Sequence, residues 1–326
     1  KYKLFSNTYL KTGKYYKDFS SYLNETLSSG SLLISNNAEP MPKIGLLSSY
    51  KFKQSQNFNF NFGISHGLFA KSAIYKTPPM LHEKFVYLNY SKNQNDFGIG
   101  FVHEAMWGGS TDEDGKFSTS YKDFLKIFIS ADGPLLDGQP HANALGNHLG
   151  IWDFYYKKTV NNKELKFYYQ HFFEDTSGLR FDNKSDGLWG IELSNYTKNT
   201  NILLEYLNTM NQDRNPPYVN ENYYNHFEYQ EGWSYKGYSL GNPFINHTNN
   251  NPSKVLHLGV NRNGINKYSY RLLASRRINL SDHIKYQISI GKMINELLIG
   301  VVFTGEKNMN NNVTLKISYS PIMKAR

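Results

Sequence analysis

The chain has 326 residues, with 36 Lys+Arg against 27 Asp+Glu for a formal net charge of +9, and it has no Cys. Aromatics make up 16% of the residues, with 26 Tyr and 21 Phe, which excludes a disordered chain. The lack of Cys removes disulfides, zinc-thiolate centres and thiol nucleophiles, and the scattered basic residues form no nucleic-acid-binding module.

Taken in chain order, residues 1–30 read as an irregular or helical lead-in that opens at Lys1 without Met or an apolar leader. This start is expected of a chain whose export signal has been removed. Strands are expected at 43–53 and 57–65, where Phe58, Phe60, Phe62 and Ile64 alternate with Asn57, Asn59, Asn61 and Gly63. Further strands follow at 80–91 and 96–107. A long connection, 108–146, carries a helix near 116–130 in which Tyr121, Phe124, Leu125 and Phe128 share a face. Beyond it, strands are expected at 148–158, 163–174, 188–196, 201–210 and 226–238. The last set is 256–261, 267–272, 283–289, 296–304 and 313–319, and in the final strand Val313, Leu315, Ile317 and Tyr319 interleave with Thr314, Lys316 and Ser318.

Most gaps are short and rich in Asn, Gly or Ser, as at Asn161-Asn162 and Asn263-Gly264, so consecutive strands read as an antiparallel meander. Crossover helices between strands are missing, which excludes a doubly wound α/β fold. No repeat of about 40–50 residues marks a propeller. Alternation alone leaves a soluble sandwich open. High Tyr, abundant uncharged polar residues and modest hydrophobicity favour an all-β, transmembrane, antiparallel up-and-down β-barrel with a polar interior. No apolar run is long enough for a membrane-spanning helix, which leaves barrel strands untouched. The length supplies roughly 16–18 strands in one domain, residues 1–326, with the barrel at 31–326. The segments 108–146 and 211–250 are then loops or an internal plug.

Several motifs follow one another along the chain. They are Ser35-Asn36-Asn37-Ala38-Glu39-Pro40-Met41-Pro42, Glu104-Ala105-Met106-Trp107-Gly108-Gly109-Ser110 and Gly146-Asn147-His148-Leu149-Gly150-Ile151-Trp152-Asp153. Tyr168-Tyr169-Gln170-His171-Phe172-Phe173-Glu174-Asp175, Asp186-Gly187-Leu188-Trp189-Gly190 and Leu204-Glu205-Tyr206 come next. Tyr223-Tyr224-Asn225, Gly232-Trp233-Ser234-Tyr235-Lys236-Gly237 and Leu240-Gly241-Asn242-Pro243 complete the set. In this order they resemble the capsule-assembly Wzi-like family of Gram-negative outer-membrane proteins, over about residues 31–304. The resemblance implies an outer-membrane barrel with a lectin-like, non-catalytic role toward capsular or exported polysaccharide. Its partners would be that polysaccharide, the surrounding lipid and lipopolysaccharide, and other outer-membrane proteins, with no cofactor and no nucleic acid.

The expected polysaccharide-binding neighbourhood is Trp107, Asp153, Glu174, Asp175, Trp189, Tyr224 and Trp233. A sugar ring stacks its C–H face on an aromatic ring, and Asn or carboxylate groups bond its hydroxyls. The competing reading makes the Trp residues membrane-interface anchors. Glu104, Asp153 and Glu174-Asp175 raise glycoside hydrolysis, which needs two carboxyls about 5–10 Å apart. Inward carboxylates that pair with Arg180, Arg214, Arg262 or Arg271 would be structural instead. Thr111–Gly115 fails the calcium-loop pattern, because Phe117 stands where the loop needs Gly. The ten His, including His141 and His148, show no metal spacing, so no metal site is expected. No nucleophile elbow or Walker loop occurs. Two rival readings are a passive porin or solute transporter, and a structural subunit of a larger surface complex.

Overall fold

The computed structural model describes every residue except 53–54, 136–141, 198, 213–221, 250–251, 266–267, 280–282, 295, 308–310 and 320–326. The first strands are β1 (Tyr2–Phe5), β2 (Thr8–Tyr15), β3 (Met41–Lys51) and β4 (Phe58–Leu68). Next come β5 (Tyr75–Thr77), β6 (Met80–Lys92), β7 (Asn95–Trp107), β8 (Ser110–Thr111) and the helix α1 (Tyr121–Ile129). The middle of the chain holds β9 (Asn147–Val160), β10 (Lys163–Phe173), α2 (Thr176–Leu179), β11 (Gly187–Ser194) and β12 (Thr200–Asn208). After β13 (Ser234–Tyr235) and β14 (Tyr238–Ser239), the chain ends with β15 (Lys254–Ile265), β16 (Tyr268–Arg277), β17 (His283–Ile294), β18 (Leu297–Glu306) and β19 (Asn312–Tyr319).

Fifteen of these strands form one antiparallel sheet in chain order, and β5 with β8 and β13 with β14 make two small ribbons. The expected count was slightly higher, at 16–18. Sequential pairing follows from tight turns. Asn93-Gln94 and Asn161-Asn162 all have positive φ, which fits two-residue hairpin loops whose twist matches that of the strands. Lys92 therefore faces Asn95, and Val160 faces Lys163. Among the described residues β1 and β19 are the two free edges of the sheet. With fifteen antiparallel strands, they run in the same direction.

The connections after β1, β3, β6, β9, β11, β15 and β17 are short and lie at one end of the sheet, while the other end carries the long connections 16–40, 69–79, 108–146, 174–186 and 209–253 together with the short ones after β16 and β18. On the outer face Ile44, Leu46, Phe62, Leu88, Ile99, Leu204 and Ile290 are exposed. Phe58 and Phe60 lie half-buried on that same face. The alternating apolar residues thus point away from the interior, as expected.

Two expectations are corrected. Residues 2–15 are not irregular but form β1 and β2, and the irregular segment is 16–40. Residues 226–238 are not a sheet strand: the described part, 222–249, folds inward, with Tyr223, Tyr224, Tyr229, Trp233 and Leu240 buried. A strand needs a neighbour's backbone to bond, and here the backbone bonds the lead-in and itself instead, as in Ser35 N–H to Leu240 O at 2.8 Å and Leu240 N–H to Trp233 O at 3.0 Å. The interior is consequently not uniformly polar. Leu32, Leu33, Phe172, Tyr223, Tyr224 and Trp233 make an apolar hub with essentially no exposure.

The expected helix forms, as α1. Ser120 caps it by accepting from Asp123 N–H, and Ser130 closes it in a left-handed conformation. It lies against the outer face of β4, β6 and β7, where Phe124 meets His66, His82 and Trp107 at ring distances of 5.6, 5.5 and 5.1 Å.

Candidate functional site

The inner wall is built to hold two segments. Asp153, at 0% exposure on β9, accepts from Ser20 Oγ and Tyr87 OH at 2.6 Å each and also from Tyr22 OH. Gln170, on β10, accepts from Leu32 N–H at 3.0 Å and donates to Ser20 Oγ at 3.0 Å. Glu205, on β12, accepts from Ser28 Oγ and Ser29 N–H at 2.6 Å each. Lys166 bridges Tyr22 O at 2.7 Å and Glu192 at 2.8 Å, and Glu192 in turn accepts from Asn24 at 2.6 Å. Inward glycines let the wall tyrosines lie flat: a Cβ at Gly100 would meet Tyr87 at 2.2 Å, and one at Gly190 would meet Tyr168 at 2.0 Å.

The second segment is pinned onto the first. Trp233 Nε1 donates to Leu33 O at 2.7 Å, Asn242 Nδ2 to Gly30 O at 2.7 Å, and Tyr224 OH to Leu32 O. Its other side hangs from the wall. Glu174 accepts from Tyr224 N–H at 2.8 Å. Asp186 accepts from Asn208 at 2.9 Å, from the amide and side chain of Asn211 at 2.8 Å each, and from Tyr223 OH at 3.1 Å. Burial holds the Asp186 carboxyl above its ordinary range despite these donors.

The seven expected residues are therefore dispersed. Trp233 and Tyr224 are buried in the hub and Asp153 deep on the inner wall, while Glu174 and the exposed Asp175 lie together where β10 ends. Tyr224 and Glu174 meet directly. Trp189 points outward, 41% exposed, and stacks on Tyr169 at 3.8 Å in an apolar wall groove of about 780 Å³. Trp107 sits under α1 on the outer face. Two inward carboxylates pair with lysines rather than with the expected arginines, Glu83 with Lys43 and Glu192 with Lys166 at 2.9 and 2.8 Å, and Asp153 and Glu205 are held by hydroxyl and amide donors. Arg180 instead pairs with Asp182 at 3.7 Å, and Arg271 reaches Gln287 at 2.5 Å. Arg214 and His141 lie outside the described residues.

Three polar anchors escaped the sequence reading: Asp186, Gln170 and Asn242. Each lies within a motif that was noted, but a buried amide or carboxylate among aromatics carries no periodic signal. The rim of long connections also exposes Phe181, Phe227 and Tyr238. No group of three or more His, Asp or Glu able to hold a metal ion occurs among the described residues.

An antiparallel barrel wall with an apolar exterior and an interior filled by its own connections defines a plugged β-barrel protein. The family model described as capsule assembly protein Wzi matches residues 27–318, and the chain belongs to that family. A solved structure with the same fold is Wzi of Escherichia coli, an outer membrane protein involved in group 1 capsule assembly and described as a carbohydrate-binding β-barrel. The two share 18% identity at a TM-score of 0.59 over 95% of this chain, which spans 66% of that relative's length. A FadL homologue of Pseudomonas aeruginosa aligns at a TM-score of 0.31 and 10% identity, over 91% of this chain and 79% of its own. LpxR of Salmonella typhimurium aligns at 0.24 and 8% identity, over 84% and 86%. No protein of curated function matches the chain.

Proposed function

We propose that this chain is a single outer-membrane barrel unit, residues 1–326, of a Gram-negative cell, and that it binds or organises capsular or exported polysaccharide without catalysing a reaction. The observation that carries this reading is the occupied interior. Residues 16–40 and 222–249 are hydrogen-bonded to the wall and to each other, so the barrel offers a filled platform rather than a channel, which speaks against a porin. Family membership and the related carbohydrate-binding barrel support it. Short turns facing the periplasm and long connections facing outward are the usual arrangement of such barrels, which turns the rim of long connections toward surface polymer.

Within this reading the seven residues divide by role. Asp175 and Glu174 offer carboxylate oxygens to sugar hydroxyls at the rim, and Phe227 and Tyr238 offer exposed rings there. Asp153, Tyr224 and Trp233 hold the plug that presents them, and Trp107 and Trp189 anchor the wall. The buried, engaged state of Asp153 supports a role without hydrolysis. Partners are the polysaccharide, the lipid around the wall and neighbouring outer-membrane proteins. The test is retention of detergent-solubilised protein on immobilised acidic and neutral capsular polysaccharides, alongside planar-bilayer conductance. Retention that falls at least tenfold in Phe227→Ala/Tyr238→Ala, with no step conductance, is expected. Unitary currents with no retention on any polymer would replace the reading with a porin.

A further inference from the structure

The outer face of the sheet changes character in one place. Along most strands it is apolar, but near the rim of long connections β4, β6, β7 and β9 turn His66, His82, Lys84, His103 and His148 outward. These side chains do not meet the surroundings directly, because α1 lies over them. Phe128 packs on His82 at 5.3 Å and under Lys84 at 4.3 Å. Ser130 Oγ is 2.8 Å from His103 Nε2, which is itself 2.9 Å from His148 Nδ1. Lys84 Nζ also donates to Phe128 O. At this height the surface presented outward belongs to the helix and not to the sheet.

That surface is the wrong kind for water. Ile127 is the buried, wall-facing residue of α1. At 3.6 residues per turn, Tyr121, Leu125 and Ile129 form one stripe that leaves the wall, and they are 74, 46 and 70% exposed. The sequence grouped Tyr121 and Leu125 with Phe124 and Phe128 on one face, and in the structure Phe124 packs on the wall while Tyr121 and Leu125 stay exposed. Lys122 and Lys126 lie along the far flank of the stripe, also exposed. An apolar stripe bordered by cations, on an outer face that also exposes Ile44, Leu46 and Leu68, has the form of an interfacial helix.

We infer that α1 is a membrane-interface apron: its Tyr121, Leu125 and Ile129 stripe enters the acyl layer of the outer leaflet, while Lys122 and Lys126 meet the phosphates of an anionic, acylated lipid. The helix thereby hides the imidazoles of the wall from hydrocarbon and supplies the lipid-facing surface itself. The inference rests on the outer-membrane reading above, and the experiment separates the two. Because the chain has no Cys, single nitroxide labels can be placed cleanly. Leu125→Cys and Ile129→Cys test the helix, Ile290→Cys reports on the wall strand and Tyr238→Cys on the rim loop. Each labelled full-length protein is reconstituted into vesicles of phosphatidylcholine, with or without phosphatidylglycerol, and relaxation by oxygen is compared with relaxation by a water-soluble nickel chelate.

Labels 125 and 129 are expected to favour oxygen, as 290 does, and label 238 the chelate. With phosphatidylglycerol present, Lys122→Glu/Lys126→Glu should lower the oxygen-to-chelate ratio at 125 at least twofold, with a smaller change in pure phosphatidylcholine. A chelate-dominated 125 beside an oxygen-dominated 290 overturns the apron and leaves the barrel reading intact. A label at 125 reached by neither reagent means that protein covers the stripe, which also overturns it. A chelate-dominated 290 removes the membrane reading and the apron together.

Discussion

The wall from β3 to β12 and the wall from β16 to β19 are written in the same alternating pattern, yet their inner faces have different fates. In the first, inward residues along much of the wall turn onto a connection: Lys43, Glu83, Asp153, Lys166, Gln170 and Glu205 are all buried. In the second, the inward residues of β16 to β18 stay mostly half-buried, and β19 is exposed on both faces except at Ser318. Its outward Val313, Leu315 and Ile317 are 62 to 70% exposed. Period-2 patterning therefore fixes which side faces out in both regions. What covers the inner side is decided by segments with no period at all.

The largest effect that would break this comparison lies in the hub. Trp233→Ala empties a fully buried site and frees Leu33 O, and it is expected to destabilise the plug by about 3–5 kcal/mol. Ile317→Ala on β19, by contrast, should stay under about 1 kcal/mol. Limited proteolysis of 222–249 beside the thermal unfolding midpoint of the barrel reads both. Equal losses from the two variants would mean that the halves are held alike.

The polar wall gives a sharper pair. Glu83 and Glu104 face each other directly across β6 and β7, both at 0% exposure, and Lys43 is bonded to Glu83 at 2.9 Å. Two carboxyls and one ammonium share this dry interior. Lys43→Met should cost about 3–5 kcal/mol, because it strands buried carboxylates without their cation. Glu104→Gln should be neutral or stabilising, since it takes one ionisable group out of a dry carboxyl pair while keeping the shape. Chemical denaturation in detergent gives both numbers, and a Glu104→Gln loss as large as that of Lys43→Met would show that Glu104 is itself a required partner.

How far the sequence revealed these features follows the same division. The strands, their order and the outward face of Phe58, Phe60 and Phe62 were legible because alternation and short Asn-rich turns are local signals. The helix was legible at 116–130, but which part of its apolar arc meets the wall was not, since that depends on His66 and His82 of β4 and β6, which Phe124 contacts from far away in the chain. The plug was half seen: 211–250 was marked as a loop or plug, whereas 16–40 was not, and 226–238 was taken for a strand. Ser20, Asn24, Gln170 and Asp186 draw their roles from partners far away in the chain, as in Gln170 to Leu32 at 3.0 Å, and no spacing rule reports such pairs.

Asp153 tests whether the lead-in depends on the wall. Asp153→Asn keeps the volume but removes the charge that receives Ser20, Tyr22 and Tyr87, and hydrogen bonds to a charged group are worth about 1.5–3 kcal/mol. A loss of about 2–3 kcal/mol is expected, with hydrogen-exchange protection falling at Ser20–Asn24 and unchanged in β17 and β18. If the protection at Ser20–Asn24 is unaffected, the backbone contacts of Lys166 and Gln170 hold the segment without Asp153.

The smallest effect is a pH dependence confined to the plugged half. His226 Nδ1 faces the N–H groups of Glu228 and Tyr229 at 3.2 and 3.3 Å, and its ring stacks on Phe227 at 4.6 Å. That arrangement suits the neutral ring, and burial pushes its pKa down to about 3. An unfolded plug would protonate the same imidazole near its ordinary value of about 6.5. The contribution of His226 is therefore fully present above about 6.5 and lost progressively as pH falls toward about 3. Asp186 acts with the opposite sign: its raised carboxyl favours the folded plug at low pH and loses that contribution as pH rises. The wild-type profile is thus a partial cancellation, and the measurement that isolates His226 is a difference. Protease resistance of 222–249 at pH 7, 5 and 4 should decline toward acid less steeply in His226→Asn than in the wild type, while the barrel midpoint moves equally in both. Identical acid profiles for the two proteins would place the pH sensitivity of the plug elsewhere.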